Sequence, residues 1–175
     1  MTSEELRALQ GPLKAQYKEN PAAAQYVISI KGTLEGDDIR CRVHSPRGPI
    51  DAGLHAATGG DGSLACSADM LLEALVGCAG VTMKAVATAL GIGLKKATIT
   101  ASADLDFRGT LGVGKEAPVG LTAIRLTFDV DTDAPHEQID KLIQLTERYC
   151  VIYQTLKSPP TLQVTRERDS ADEKH

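Results

Sequence analysis

The sequence contains no tryptophan and few other aromatic residues, which make up 3% of its 175 residues. Proteins that bind single-stranded nucleic acids stack bases on aromatic side chains and track the phosphates with basic ones. This chain carries a net charge of −4 at pH 7. Its composition therefore argues against nucleic acid as the main partner.

Leader-like and membrane-spanning patterns are also missing. No N-terminal stretch joins basic residues to an apolar core, as a signal peptide requires. The uncharged apolar run 74–83 is much shorter than the roughly 20 residues that span a bilayer. We therefore expect a cytoplasmic location and no membrane partner.

Short-range pairs of metal ligands are absent as well. The four cysteines show no CxxC spacing and the histidines no HxxxH spacing, although structural zinc sites usually contain such a pair. In a reducing cytoplasm, four cysteines are expected to be thiols and not a disulfide framework. By residue type alone, Cys78 and Cys150 are most simply small buried apolar residues, and spacing does not bring them together. Cys66 precedes a predicted helix, whose dipole could lower its pKa, whereas Cys41 lies in no motif.

The most distinctive stretch is 67–94, which predicts a long central helix. Ser67 is a suitable N-cap, Asp69 places negative charge in the first turn, and Gly91 can end the helix in a left-handed conformation. The helix is apolar on nearly every face, which is typical of a buried helix. Cys78 lies near its middle among small residues that permit close approach of a substrate or another backbone.

Alternating apolar residues predict two antiparallel strand pairs around this helix. The first is a hairpin of 25–34 and 39–43, followed by a long irregular loop, 45–66. The second pairs 95–107 with 121–130. A chain of this length supplies too little sheet to bury a wholly apolar helix. The α+β pattern therefore predicts a dimer whose sheets wrap paired central helices.

Helices are predicted at both ends of this arrangement. Residues 3–19 form an amphipathic helix that starts near Ser3 and is interrupted near Gly11 and Pro12. Asp133 is expected to cap a helix over 137–148. The remaining predicted elements are a second helical piece over 149–156, a last strand over 161–165 and a disordered tail over 167–175.

Several motifs give the chain a resemblance to a known family. They are GGDGS at 59–63, SADMLLEALVGC at 67–78, LGIGL at 90–94, DFRGTL at 106–111, IRL at 124–126 and RYCVIYQTL at 148–156. Together they resemble the OsmC/Ohr family of osmotically induced and organic-hydroperoxide-resistance proteins, over roughly residues 25–165. The division implied is an N-terminal helical extension (1–24), an OsmC-like domain (25–166) and the tail (167–175).

The resemblance implies an α+β OsmC-like fold in an intertwined homodimer, with antiparallel sheets around two central helices and active sites at the dimer interface. It also implies that Cys78 is the peroxidatic thiolate and Cys150 the resolving cysteine. Organic hydroperoxide would oxidise Cys78 to a sulfenic acid, which condenses with Cys150 to a disulfide. A dithiol, lipoyl-type in some members, would restore the thiols. No metal or tightly bound organic cofactor is implied.

Family members stabilise the thiolate with an arginine from the N-terminal strands and a glutamate early in the central helix. Arg40 or Arg42 could supply the permanently charged guanidinium. The glutamate position is Ala68 here, and Glu73 is a nearby carboxylate that faces Cys78 poorly on one helix. Val151 also replaces a proline found in many members. These departures predict an OsmC-like protein outside the best-characterised peroxidase groups.

Three functions remain open from the sequence. The first is a thiol-dependent peroxidase for organic hydroperoxides, with Cys78, Cys150, Arg40, Arg42 and Glu73 as its site. The second is a small-molecule binding protein in which the cysteines only pack. The third is a metal site built from the two cysteines and a histidine; separately, His55 in the long loop could orient a ligand or activate a thiol.

Overall fold

The computed structural model describes residues 1–166, so the predicted tail, 167–175, lies outside the described residues. The helices in this range are α1 (Ser3–Glu19), α2 (Ser67–Leu90), α3 (Phe107–Thr110), α4 (His136–Tyr149) and α5 (Val151–Lys157). The strands are β1 (Lys31–Thr33), β2 (Arg40–Ser45), β3 (Gly48–Gly53), β4 (Leu94–Asp104) and β5 (Ala123–Thr132). Short 3₁₀ turns cover Pro21–Ala24 and Ala56–Thr58.

The strands form two antiparallel sheets. In the N-terminal sheet the order is β1-β2-β3, and the second sheet pairs β4 with β5. Ile99 of β4 lies opposite Phe128 of β5, and both pack on the buried side of α2. The predicted α+β class with antiparallel strand pairs is confirmed.

Helix α2 is the centre of the core. Leu75, Ala79, Met83 and Ala87 recur every four residues and are at most 1% exposed, because that spacing lines one helical face. They pack against the β4–β5 sheet and the N-terminal part of α5, with Leu142 of α4 closing the cluster around Met83.

The ends of α2 match the prediction closely. Gly91 ends the helix in the left-handed region at φ 71° and Asp69 lies in the first turn. The N-cap is Cys66, one residue before the predicted Ser67, and its side chain makes no capping hydrogen bond.

In the single chain, α2 is buried on one face, in keeping with the expectation that one chain supplies too little cover for the whole helix. On the opposite apolar face Leu71 is 39% exposed and Val81 is 74% exposed. Helix α1 covers part of this face, and the rest lies open.

The N-terminal helix is continuous, and the predicted interruption near Gly11 and Pro12 is wrong. Pro12 lies inside α1; the exposed surface there lets water reach the backbone carbonyl that proline leaves unpaired. Thr2 caps the helix in place of Ser3, and it forms a capping box with Glu5 over hydrogen bonds of 2.7 and 3.1 Å.

The first hairpin is shifted along the chain relative to its prediction. Only Lys31–Thr33 of the predicted first strand pairs with β2, and the predicted loop contains strand β3 (Gly48–Gly53). Pro49 made this stretch resemble a loop. β3 is an edge strand of this sheet, and the bridge between Ala52 and Ala65 on its far side does not involve Pro49, so a residue without an N–H is tolerated there.

Two predictions in the C-terminal half are wrong. Asp133 does not cap α4: Pro135 holds that position in an extended conformation, and Asp133 pairs with Lys95. Residues 161–165 form no strand, since no neighbouring strand of this chain pairs with them. Leu162 and Val164 there are 88% and 98% exposed.

By length and composition alone, α2 is also long and apolar enough to cross a membrane. The core helices of many soluble proteins have the same properties. In this fold α2 packs against β4, α4 and α5, so the helix serves as the core of the domain. The absence of a membrane partner remains an expectation.

Candidate thiol site

The fold brings Cys78 and Cys150 into contact, although they lie 72 residues apart in the sequence. Cys78 lies in the middle of α2, at the border between its buried and open faces. Cys150 is the single residue between α4 and α5 and is only 1% exposed. Both pack with Leu75 and Ala79 in one cluster. The arrangement places two thiols side by side in a mostly apolar setting.

The bend between α4 and α5 determines which groups face the sulfurs. Cys150 leaves the helical conformation, with φ −72° and ψ 109°, while its N–H still donates to the carbonyl of Thr146 at 2.9 Å. Its Sγ then accepts a hydrogen bond from the N–H of Tyr153 at 3.5 Å. The backbone N–H groups of Val151 and Ile152 lie at the start of α5, where they have no hydrogen-bond acceptor within the helix. They are therefore available to Cys78.

The pKa of Cys78 lies below the ordinary value for a thiol. Burial raises this pKa, but hydrogen bonding from the Ile152 backbone, the Cys150 side chain, the Val151 backbone and the Thr82 hydroxyl outweighs burial. Each of these donors favours the thiolate over the thiol. Cys78 is thus the better nucleophile of the pair.

The pKa of Cys150 moves the other way. Burial is the largest cause, and donation to Cys78 together with the nearby Cys78 charge raises the pKa further, whereas hydrogen bonds from the Tyr153 and Ile152 backbone lower it. As pH rises, Cys150 therefore keeps its proton longer than Cys78 and can donate it toward the Cys78 sulfur. The sequence does not reveal this asymmetry, because the two residues are of the same type.

The predicted arginines lie on the N-terminal sheet and not beside Cys78 of the same chain. Arg42 forms a two-pronged ion pair with Asp51, with both N–O distances at 2.9 Å. Hydrogen bonding to Arg42 is the main cause that lowers the pKa of Asp51. Arg40 approaches the same carboxylate only at 4.0 Å, so most of its guanidinium donors are free of Asp51.

The predicted carboxylate, Glu73, is exposed on α2 and does not contribute to the pKa of Cys78. Asp51, and not Glu73, is the acidic residue that holds Arg42. The sequence analysis missed it because its strand, β3, was interpreted as loop.

Thr82 was also missed, although the sequence contained a signal for it. It lies four residues after Cys78, a spacing that places two side chains on the same helical face. The Val151 and Ile152 contributions come from the backbone, so no side-chain motif indicates them.

His55 and Cys66 lie elsewhere. His55 Nδ1 accepts a hydrogen bond from the N–H of Ala57 at 3.0 Å, and its ring stacks on Phe107 with centroids 4.8 Å apart. Cys66 lies twelve residues before Cys78, about 18 Å along the helix axis. The two line a separate cavity of about 270 Å³, so neither acts on the Cys78–Cys150 pair within the chain.

A larger cavity, of about 460 Å³, adjoins the cysteine cluster. Leu75, Tyr153 and Leu156 belong both to the cavity wall and to the cluster around Cys150. Further apolar wall residues come from β5, and Glu147 and Lys157 supply charge. The cavity wall is part polar and part apolar, so the cavity suits an amphipathic molecule.

Metal binding has no geometric support in residues 1–166, where no three His, Cys, Asp or Glu side chains are grouped closely enough to hold an ion. The site as the structure describes it pairs a buried thiol, Cys150, with a second thiol of lowered pKa, Cys78, in an α+β domain built on one apolar helix.

Comparison with known proteins identifies the family. The model of the OsmC-like protein family matches residues 60–165, and the chain belongs to this family. No curated protein matches the chain. The predicted resemblance is confirmed, and the α+β fold is the OsmC-like fold.

Solved structures of low sequence identity share this fold. An OsmC-like protein from Mycoplasma pneumoniae has a TM-score of 0.63 at 18% identity, over 77% of this chain and 90% of that one. An organic hydroperoxide resistance protein from Legionella pneumophila has a TM-score of 0.60 at 15% identity, over 77% and 93%. One from Elizabethkingia anophelis, with bound thiocyanate, has a TM-score of 0.61 at 15% identity, over 77% and 92%.

Proposed function

We propose that this protein is a thiol-dependent peroxidase that reduces organic hydroperoxides to alcohols. The observation that carries the proposal is that two thiols in contact have pKa values shifted in opposite directions. The pKa of Cys78 is lowered and that of Cys150 is raised. A peroxidatic cysteine must be a thiolate to attack the peroxide, whereas a resolving cysteine can remain protonated during that step. The family includes organic hydroperoxide resistance proteins, which agrees with this chemistry.

The first step oxidises Cys78. Its thiolate attacks the distal peroxide oxygen, the O–O bond breaks, and the leaving alkoxide takes a proton to become an alcohol. Sulfur loses two electrons and becomes a sulfenic acid. The Ile152 and Val151 N–H groups hold the thiolate before attack.

The second step forms the disulfide. Cys150 attacks the Cys78 sulfenic acid, an S–S bond replaces the S–O bond, and water leaves. Contact between the two side chains in the reduced chain shortens the path to this product. An external dithiol, lipoyl-type in the family resemblance, then returns both thiols by exchange and is itself oxidised to a disulfide.

We place the working site in a homodimer. The open face of α2 includes Leu71 and Val81, and a second copy would cover it. The N-terminal sheet makes few contacts with α2 of its own chain, so in a dimer it could bring Arg40 or Arg42 to the partner subunit's thiolate. Arg40 is the better candidate because Asp51 already engages both prongs of Arg42.

Steady-state turnover tests the proposal. Purified protein is mixed with cumene hydroperoxide and a dithiol, either dithiothreitol or dihydrolipoamide, and alcohol formation is followed. We expect turnover by the native protein and none by Cys78→Ser, with Cys66→Ser as a matched control that retains activity. Full activity in Cys78→Ser would reject the assignment.

A small-molecule binding protein is the alternative, and the cavity of about 460 Å³ beside the cysteines favours it. In that case the cavity would hold a ligand, and peroxide treatment would leave all four thiols free. The same turnover assay separates the two, since binding alone gives no alcohol.

A further inference from the structure

Tyr153 connects the cysteine pair to the wall of the neighbouring cavity. Its backbone N–H donates to Cys150 Sγ at 3.5 Å, and its phenol hydroxyl donates to Glu147 Oε2 at 3.2 Å. The ammonium group of Lys157 lies 5.9 Å from the centre of its ring. One residue is thus fixed at its backbone, its ring and its hydroxyl.

The Tyr153–Glu147 hydrogen bond crosses the bend between α4 and α5. Glu147 is on the last turn of α4, and Tyr153 is on the first turn of α5. A second link runs the same way, from Gln154 Nε2 to the backbone carbonyl of Glu147 at 2.8 Å. Both links fix the direction in which α5 leaves Cys150.

That direction sets where the first backbone N–H groups of α5 point, beside Cys78, which packs with Ile152 in the cluster around Cys150. Ile152 and Val151 precede Tyr153 directly, so a rotation of α5 about Cys150 would turn their N–H groups away from Cys78. Hydrogen bonds weaken steeply with loss of alignment. Helix α5 has only seven residues, and its own hydrogen bonds therefore hold it weakly.

We propose that Tyr153, through its hydrogen bond to Glu147, is a positioning residue that keeps the Val151 and Ile152 N–H groups aimed at the Cys78 thiolate. The inference rests on the proposed function for its biological meaning. In this role Tyr153 acts on Cys78, by setting the nucleophilicity of its thiolate. Its second effect is to keep one wall of the cavity in place beside the cysteines.

The test measures the pH dependence of Cys78 alkylation and not peroxide turnover. A failure of the positioning role can therefore be distinguished from a failure of the peroxidase proposal. Full-length protein is alkylated with iodoacetamide over a range of pH, and the Cys78 peptide is quantified by mass spectrometry. Tyr153→Phe should move the midpoint of Cys78 alkylation to higher pH by about one unit, as expected when hydrogen bonds to a charged group are misaligned. Gln154→Ala should move it in the same direction by less.

Tyr149→Phe is the matched control, because this exposed tyrosine lies on α4 without a hydrogen bond to Glu147. It should leave the midpoint unchanged. Glu147→Gln separates the effect of the Tyr153 hydrogen bond from the effect of the Glu147 charge. The amide oxygen of the variant can still accept the hydrogen bond from Tyr153, and loss of a negative charge does not raise the pKa of a thiol. Its midpoint should not rise.

An unchanged midpoint in Tyr153→Phe, with or without a lower melting temperature, would overturn the proposal, as would an equal rise in Tyr149→Phe. If native protein shows no peroxide turnover but Tyr153→Phe still raises the Cys78 midpoint, the peroxidase proposal fails and the positioning role stands. If native protein turns over peroxide but Tyr153→Phe leaves the Cys78 midpoint unchanged, the peroxidase proposal stands and the positioning role fails.

Discussion

The side chains of Cys78 and Cys150 touch, yet their pKa values move in opposite directions. At the bend between α4 and α5, hydrogen bonds from the Ile152 and Val151 backbone help to lower the pKa of Cys78. Burial and the neighbouring Cys78 charge raise the pKa of Cys150. In the proposed reaction, Cys78 is thereby suited to attack the peroxide first and Cys150 to attack the oxidised Cys78 afterwards.

The first prediction concerns pH. Since the folded pKa of Cys78 is lowered, its thiolate persists as pH falls below the range in which an unfolded cysteine ionises. Alkylation of Cys78 should therefore extend to lower pH in folded protein than in urea, and that of Cys150 should retreat to higher pH. Peptide-resolved alkylation measures both, and identical profiles for the two cysteines in folded protein would contradict the prediction.

A second prediction concerns Thr82. Thr82→Val preserves shape but removes a hydroxyl that helps lower the pKa of Cys78, so the alkylation midpoint should rise by about 0.5 to 1 unit. Thr88→Val is the control, because the Thr88 hydroxyl donates to the Lys84 carbonyl on the same helix. A shift of similar size in the control would show that helix stability, and not the local hydrogen bond, sets the midpoint.

A third prediction separates the arginines. Arg40→Ala should lower kcat/KM for organic hydroperoxide by about tenfold, as expected for loss of one charged contact to the reacting group. Arg42→Ala should cost less, since Arg42 is bound to Asp51 on its own sheet. Steady-state kinetics of both variants measure this, and equal wild-type activity in both would remove the N-terminal sheet from the site.

The core also allows a stability prediction. Leu142 is fully buried against Met83 and Ala87, so Leu142→Ala should lower the free energy of unfolding by about 2 to 5 kcal/mol. Leu162→Ala, at an 88% exposed position, should change it by less than about 0.5 kcal/mol. Urea unfolding followed by circular dichroism compares the two. Equal losses would contradict the assigned core.

Much of the fold could be predicted from sequence because its signals are local. The apolar run and Gly91 predicted α2, and alternation predicted β4 and β5 within a few residues. Strand β3 was missed because Pro49 suggested a loop, and only pairing with β2 reveals it. The strand predicted at 161–165 is not formed, because a strand needs a neighbouring strand to pair with and residues 1–166 provide none there.

The site was predictable only in part. The two cysteines were found through their family context, since spacing cannot show that residues so far apart meet. Thr82 could have been found from its helical spacing to Cys78. The N–H groups of Val151 and Ile152 could not, because every residue except proline carries one and only the bend at Cys150 aims them.

The central claim is that Cys78 and Cys150 act as a redox pair, and thiol counting by intact mass tests it most directly. Protein is treated with one equivalent of cumene hydroperoxide and then alkylated, and the modified peptides are mapped. We predict the loss of two of the four thiols, with a disulfide joining Cys78 to Cys150 and with Cys41 and Cys66 still free. Four unreacted thiols after this treatment would contradict the account.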